Sequence, residues 1–313
     1  MKLATYTYRH TTSCGLVTED GIIDIPSNTN SAKKLHSVKE ILIKEQRALE
    51  VLYELLDSSA ERVPMDQVVF KGPIPRPGKL LALAGNYIKH LQETSWQDPT
   101  FDNQSHTTNP WPFLMPSTAV TGDGAEIPWP LYSQQVDYEI ELAVFIGNST
   151  TAIAPEEAPA HIAGYSIAND ISARSTTFAE GRTDRPRDKY FDWLMGKWAN
   201  GFLPLGPVMV TADEIPDPQN LNLELKVNGE IRQKAHTSQM IFDVNHIVSF
   251  MSHLMTLEPG DVIITGTPQG VAAGGAEYLK PGDTMEATID RIGTLTNTLG
   301  DYPEQFYKAF INS

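Results

Sequence analysis

Residues 136–147 read VDYEIELAVFIG and residues 164–170 read GYSIAND, two apolar runs that carry Glu139, Glu141 and Asp170. Both have the composition of buried strands, and strand side chains alternate faces with a period of two. Glu139 and Glu141 therefore share one face, opposite Tyr138, Ile140 and Leu142. Like charges this close repel, and burying either one unpaired costs several kcal/mol, so a buried strand of this pattern needs a compensating cation. A hard divalent metal meets that need: Mg²⁺, Mn²⁺ and Ca²⁺ prefer carboxylate oxygens, and Mg²⁺ leaves positions open for water and substrate. The alternative is a strand at a sheet edge whose acidic face meets water.

The chain has 313 residues and an ordinary 41% hydrophobic content, enough for one large domain and a small one. Its 24 Lys and Arg face 39 Asp and Glu, a net charge of −15 with no basic cluster, which disfavours nucleic acid and anionic membranes as partners. Cys14 is the sole cysteine, so neither an intramolecular disulfide nor a thiolate metal site can form. No stretch approaches the roughly 20 apolar residues of a membrane span. The expectation is a soluble, cytoplasmic protein.

Along the chain, residues 1–26 alternate around a turn at Thr18–Ile22 and predict a β-hairpin region. Ser37 and Glu40 have capping-box spacing, and Val38, Ile41, Leu42, Leu49, Leu52, Leu55 and Leu56 predict a helix to about Asp57. Pro73, Pro75 and Pro77 exclude helix and central strand, which puts a boundary between a small N-terminal domain, residues 1–73, and a larger domain, 74–313. LLALAG at 80–85 is a short apolar run, followed by a predicted helix 86–93 capped by Asn86. Residues 94–111 are polar and aperiodic, the pattern of a functional lid. Asn228-Gly229 predicts a hairpin within 221–235, and a helix is expected from Ser238 to Leu254. The turns Pro259-Gly260-Asp261 and Pro281-Gly282-Asp283 each feed a strand, which suggests a rolled or barrel-like β domain.

No nucleophile elbow, phosphate-binding loop, dinucleotide fingerprint or zinc-protease motif is present. His90 and Glu93 stand three apart on the short helix, where a carboxylate can orient an imidazole as general base; a surface ion pair is the plainer reading. Lys197 lies in the apolar MGKWANGF, either buried with an acidic partner or solvated on a loop.

Taken together, GNYxxHxxE at 85–93, VDYExELA at 136–143, GYxxANDxSAR at 164–174, GKW followed by PLGP at 196–207, VNGE at 227–230 and LxPGDxxxTGTPxGV at 257–271 resemble the fumarylacetoacetate hydrolase family. The resemblance implies a β-rich α+β fold, with a rolled mixed β-sheet catalytic domain behind a small N-terminal α/β domain, and a homodimer. It implies that Glu139, Glu141 and Asp170 hold Mg²⁺ or Mn²⁺, with Ca²⁺ possible in crystals. His90 and Glu93 would form a water-activating dyad, with Lys197 as the third catalytic residue and Tyr87, Met115, Arg174 and Thr267 against the substrate.

The implied reaction is hydrolysis of a C–C bond in an acylpyruvate or related small oxoacid, through an enolate that a Lewis acid stabilises. Decarboxylation, tautomerisation or hydration share that enolate, and a non-catalytic oxoacid-binding relative is a further alternative. Three positions depart from the family pattern. Met115 stands where a lysine is usual, Ser175 follows SAR in place of aspartate, and Asn200 replaces a common aspartate. Methionine at 115 predicts a less anionic or more hydrophobic substrate at that point, unless another cation such as Lys89 or Arg174 takes the same space.

Overall fold

In the computed structural model, described for residues 1–29, 35–44, 46–94 and 108–307, Ile140–Ile146 is a strand with every residue buried. Its apolar side chains face packed layers on both sides, so it is an interior strand and not an acidic edge. It pairs antiparallel with Ile162–Asn169 on one side and Val262–Ile264 on the other. Val262–Ile264 in turn runs parallel to Leu80–Ala84. These belong to a twelve-stranded mixed sheet.

A five-stranded sheet covers it, built on Asn222–Val227, Glu230–His236, Thr284–Ile289, Gly293–Leu299 and Glu126–Ile127. Leu142, Val144 and Ile167 of the first sheet share one core with Leu223, Leu225 and Met285 of the second. Burying such side chains between sheets contributes roughly 1.5 to 3 kcal/mol each. The fold is the expected β-rich α+β class.

The Asn228-Gly229 hairpin forms with both residues at positive φ, 52° and 81°, as a two-residue turn of this type requires. Both Pro-Gly-Asp turns launch strands, one into each sheet. At the N-terminus, Lys2–Tyr8 pairs with Thr11–Thr18 and also with Leu203–Thr211, so the large sheet continues across the boundary expected at residue 73. The helix expected after Ser37 is present over Val38–Lys44 and Gln46–Leu56, on either side of residue 45, which lies outside the described residues, and Ser37 Oγ accepts from Glu40 N at 3.1 Å.

Two helix starts differ from expectation for one shared reason. Asn86 does not cap the helix Ile88–Glu93; it is buried, its Nδ2 donating to the carbonyls of Thr265 and Phe242 at 2.8 and 3.0 Å. Its own Oδ1 and carbonyl accept from Phe242 N and Ile241 N, each at 2.8 Å. Those amides are thereby withdrawn from helix formation, and the helix expected from Ser238 begins at Val244, capped by Asp243.

Candidate metal and proton-transfer site

Glu141 lies in the central strand, but Glu139 does not. The strand Ser133–Asp137 ends and Ile140–Ile146 begins on either side of Tyr138-Glu139, so the single continuous face read from the sequence is broken there. Asn169 stabilises the break: its Oδ1 accepts from Glu139 N, and the Glu139 carbonyl accepts from Asp170 N, both at 2.8 Å. Glu139 and Asp170 are thus stitched backbone to backbone. One carboxylate oxygen from each of Glu139, Glu141 and Asp170 lies within 4.8 Å of the others, and all three residues are buried.

Lys197 is the partner that this burial demands. Its Nζ donates to Glu139 Oε2 and Asp170 Oδ2, each at 2.6 Å, and the residue is only 1% exposed. Gly196 lets it approach, since a Cβ there would fall 2.3 Å from the Ala173 carbonyl oxygen. Arg174 donates to Asp137 Oδ2 through Nε and Nη2 at 3.1 and 3.0 Å, and also reaches Glu139 Oε1. Asp137 is held further by the amides of Ala272 and Ala273 at 2.7 and 3.0 Å.

These charges divide the carboxyls. For Glu139, burial works against ionisation, but Lys197 and Arg174 outweigh it and hold the group at about 2. Burial, opposed by Lys197 and reinforced by Glu139, pushes Asp170 up to about 6. Glu141 is raised well above the usual carboxylate range by burial and by the charges of Asp170 and Glu139. Its Oε2 accepts from Gly266 N at 2.6 Å.

The residues fit a divalent cation. Fully ionised, the four buried carboxylates Asp137, Glu139, Glu141 and Asp170 exceed the two cations, Lys197 and Arg174, by two negative charges, and the two raised groups, Glu141 and Asp170, are those that a bound cation would let ionise. Asp170 Oδ1 is buried with no hydrogen-bond partner among the described residues. An all-oxygen donor set with that excess suits Mg²⁺, Mn²⁺ or Ca²⁺.

The dyad forms beside this cluster. His90 Nδ1 lies 3.2 Å from Glu93 Oε1, and the Glu93 carboxylate accepts from Gly270 N at 3.0 and 2.8 Å. Gly274 closes around it, because a Cβ there would lie 2.7 Å from the Glu93 carboxyl carbon. One stretch of backbone, residues 266–273, therefore donates to Glu141, Glu93 and Asp137 together. Thr267 donates to the Ile140 carbonyl at 3.0 Å and accepts from Gln233 Nε2 at 2.8 Å.

A cavity of about 460 Å³ brings His90, Glu139, Asp170, Arg174, Lys197 and Thr267 onto one surface. Tyr87 and Met115 are not on that surface. Tyr87 is buried in the core, its hydroxyl without a hydrogen-bond partner among the described residues. Met115 packs among Leu80, Ala82 and Phe113, with its amide on the Leu80 carbonyl at 3.0 Å. The substrate contact expected of Met115 is corrected accordingly: the side chain fills core space, and the cavity wall is made elsewhere. Asn200 is exposed, and Ser175 Oγ donates to Gln135 Oε1 at 2.5 Å. The lid expected at 94–111 falls largely on residues 95–107, outside the described residues.

Several contributors carried no role in the sequence reading. Asp137 stood inside the quoted motif, two residues before Glu139 and so on the same face by the period of two, but only the fold pairs it with Arg174. Gln233, 0% exposed, accepts from Ile140 N at 2.9 Å and is signalled only as a polar residue in an inward-facing slot of its strand. A further part of the wall comes from the helix Asp188–Met195, whose Lys189, Tyr190 and Trp193 line the cavity together with Trp111 and Phe113. Trp193 meets Phe113 edge to face at 5.0 Å between ring centroids.

Fold and site together define an oxygen-ligand divalent-metal centre facing a polar and aromatic cavity. The sequence model of the fumarylacetoacetate (FAA) hydrolase C-terminal family matches residues 79–300, and the chain belongs to that family. A mitochondrial oxaloacetate tautomerase of Rattus norvegicus is 34% identical over 279 residues, 88% of this chain and 83% of the relative. Maleylpyruvate hydrolase from Sphingobium sp. SYK-6, solved with manganese(II) and pyruvate, is 27% identical with a TM-score of 0.74, covering 97% of this chain and 100% of that one. A 2-hydroxyhepta-2,4-diene-1,7-dioate isomerase from Mycobacterium marinum is 28% identical at a TM-score of 0.70, with the same coverage. Among the described residues no helix is long and apolar enough to cross a membrane.

Proposed function

We propose that this chain moves a proton at the carbon beside the carbonyl of a small 2-oxoacid, with keto–enol tautomerisation as its reaction. The observation that carries this is the placement of His90, oriented by Glu93, and of the Lys197 ammonium on one cavity with Glu139 and Asp170, two of the three clustered carboxylates. A divalent cation held by Glu139, Glu141 and Asp170 supplies Lewis-acid stabilisation of negative charge on the substrate's oxygens. Glu93, fixed by the Gly270 amide, orients the imidazole through Nδ1 and leaves Nε2 as the base. Lys197, kept charged by Asp170 and Glu139 against the cost of its burial, stabilises anionic character across the cavity. The likeness to the rat oxaloacetate tautomerase, over 88% of this chain and 83% of that one, supports this reading.

C–C bond hydrolysis of an acylpyruvate is the second reading, supported by the likeness to maleylpyruvate hydrolase. It uses the same residues and asks His90 to deprotonate a water that attacks the distal carbonyl. The test incubates oxaloacetate and a panel of acylpyruvates with Mg²⁺ or Mn²⁺ and follows enol absorbance, CO₂ release and carbon fragments separately. Accelerated loss of the enol with neither CO₂ nor fragments is expected. Two carbon fragments in equal amounts would replace tautomerisation by hydrolysis, and CO₂ would replace it by decarboxylation.

A further inference from the structure

Three cations line the cavity, and two are engaged: Arg174 by Asp137 and Glu139, Lys197 by Glu139 and Asp170. The third is Lys189, exposed in the first turn of the helix Asp188–Met195. It shares a helical face with Trp193, four residues on, and both line the cavity with Tyr190. The two acids of this helix that could neutralise it have other partners. Asp192 receives both terminal nitrogens of Arg182 at 2.7 and 2.6 Å, and Asp188 pairs with Arg182 and Arg185 at 3.5 and 3.2 Å. Glu180 lines the recess next door, beyond ion-pair distance. Among the described residues the Lys189 ammonium has no ion pair or side-chain hydrogen bond.

We infer that Lys189 is a specificity-determining residue that reads the far end of the substrate and favours a second carboxylate there. The inference rests on the oxoacid reading above. An exposed lysine is ordinarily just solvated, but this one lines the cavity that also holds Glu139 and Asp170, with both neighbouring helix acids bound to arginines. A 2-oxoacid with its head at the buried end and its chain along Phe113, Trp193 and Tyr190 brings its distal group toward this ammonium. A charge-assisted hydrogen bond at a partly exposed site corresponds to about tenfold in affinity.

Calorimetry in Mn²⁺ buffer with pyruvate, 2-oxoglutarate and 2-oxohexanoate tests this, since the last two are close in length but only 2-oxoglutarate carries a distal carboxylate. The wild-type protein is expected to bind 2-oxoglutarate about tenfold more tightly than 2-oxohexanoate. Lys189→Met should bring that ratio close to one with pyruvate affinity unchanged, which also shows that the variant folds, and Lys189→Arg should restore most of the preference. Pyruvate binding with a ratio that is near one in the wild type, or unaltered in Lys189→Met, overturns the assignment of Lys189 alone. Failure of all three ligands to bind the wild type overturns the oxoacid reading and this inference with it.

Discussion

At the buried end of the cavity each charged side chain is held by an opposite charge or a backbone amide; at the exposed end Lys189, Tyr190 and Trp193 share one short helix whose wall is held by ring packing. The first arrangement is costly to alter, because removing one member leaves another charge buried and unpaired. The second can change residue by residue with little loss of stability. Chemistry therefore belongs to the buried end and substrate choice to the exposed end, a division that variants can test.

The largest effect is expected from Glu141→Gln. It should abolish metal-dependent turnover and weaken Mn²⁺ binding by at least about 100-fold. In the presence of chelator its Tm should stay close to the wild type's, because the metal-free Glu141 is raised well above the usual carboxylate range and Gln keeps an acceptor for the Gly266 amide. A chelator-treated Tm several degrees lower would show that Glu141 is needed by the fold rather than by the cation.

His90→Ala should lower kcat by about 10²- to 10⁴-fold while Mn²⁺ affinity measured by calorimetry stays the same. Activity surviving within a few-fold would remove the base from the mechanism. Lys197→Met should destabilise the chelator-treated protein by about 3 to 5 kcal/mol in urea unfolding, since Glu139 and Asp170 both lose their buried partner. Equal stability would mean that the two ends are not built as differently as the geometry indicates.

Gly274→Ala probes the seam between metal site and dyad. Its Cβ forces the Glu93 carboxylate aside, so a 10- to 100-fold loss of kcat, on the order expected for a small misplacement of a catalytic group, should come with unchanged Mn²⁺ affinity.

The smallest effect is on pH dependence. Asp170 at about 6 is raised from an ordinary 3.8, so the folded protein binds this proton more tightly than the unfolded chain. Its contribution to stability is complete below about pH 3.8 and is lost as pH rises through about 6. Glu139, lowered to about 2, has the opposite window, its contribution fading as pH falls from about 4.5 to 2. The Tm gain from Mn²⁺ should therefore be larger at pH 8 than at pH 5. A gain independent of pH would exclude Asp170 as a ligand.

Sequence alone determined the residues whose chemistry is local. The E-x-E spacing, the His-x-x-Glu turn, the Asn-Gly hairpin and the ordered blocks that mark the family each depend on neighbours within a few positions, so their period or turn type is written in the chain. Tertiary structure decided everything that depends on which distant segments meet. It broke the strand at Tyr138-Glu139, moved Asn86 from helix cap to buried bridge, sent Met115 into the core, and set Asp137 against Arg174. It also brought the backbone of 266–273 to three acids at once and carried Lys189 to a cavity that it shares with residues as distant in sequence as His90 and Thr267. Amide donors and cavity walls have no side-chain signature, because any residue supplies an N–H and any exposed helix can become a wall once the sheets behind it have packed.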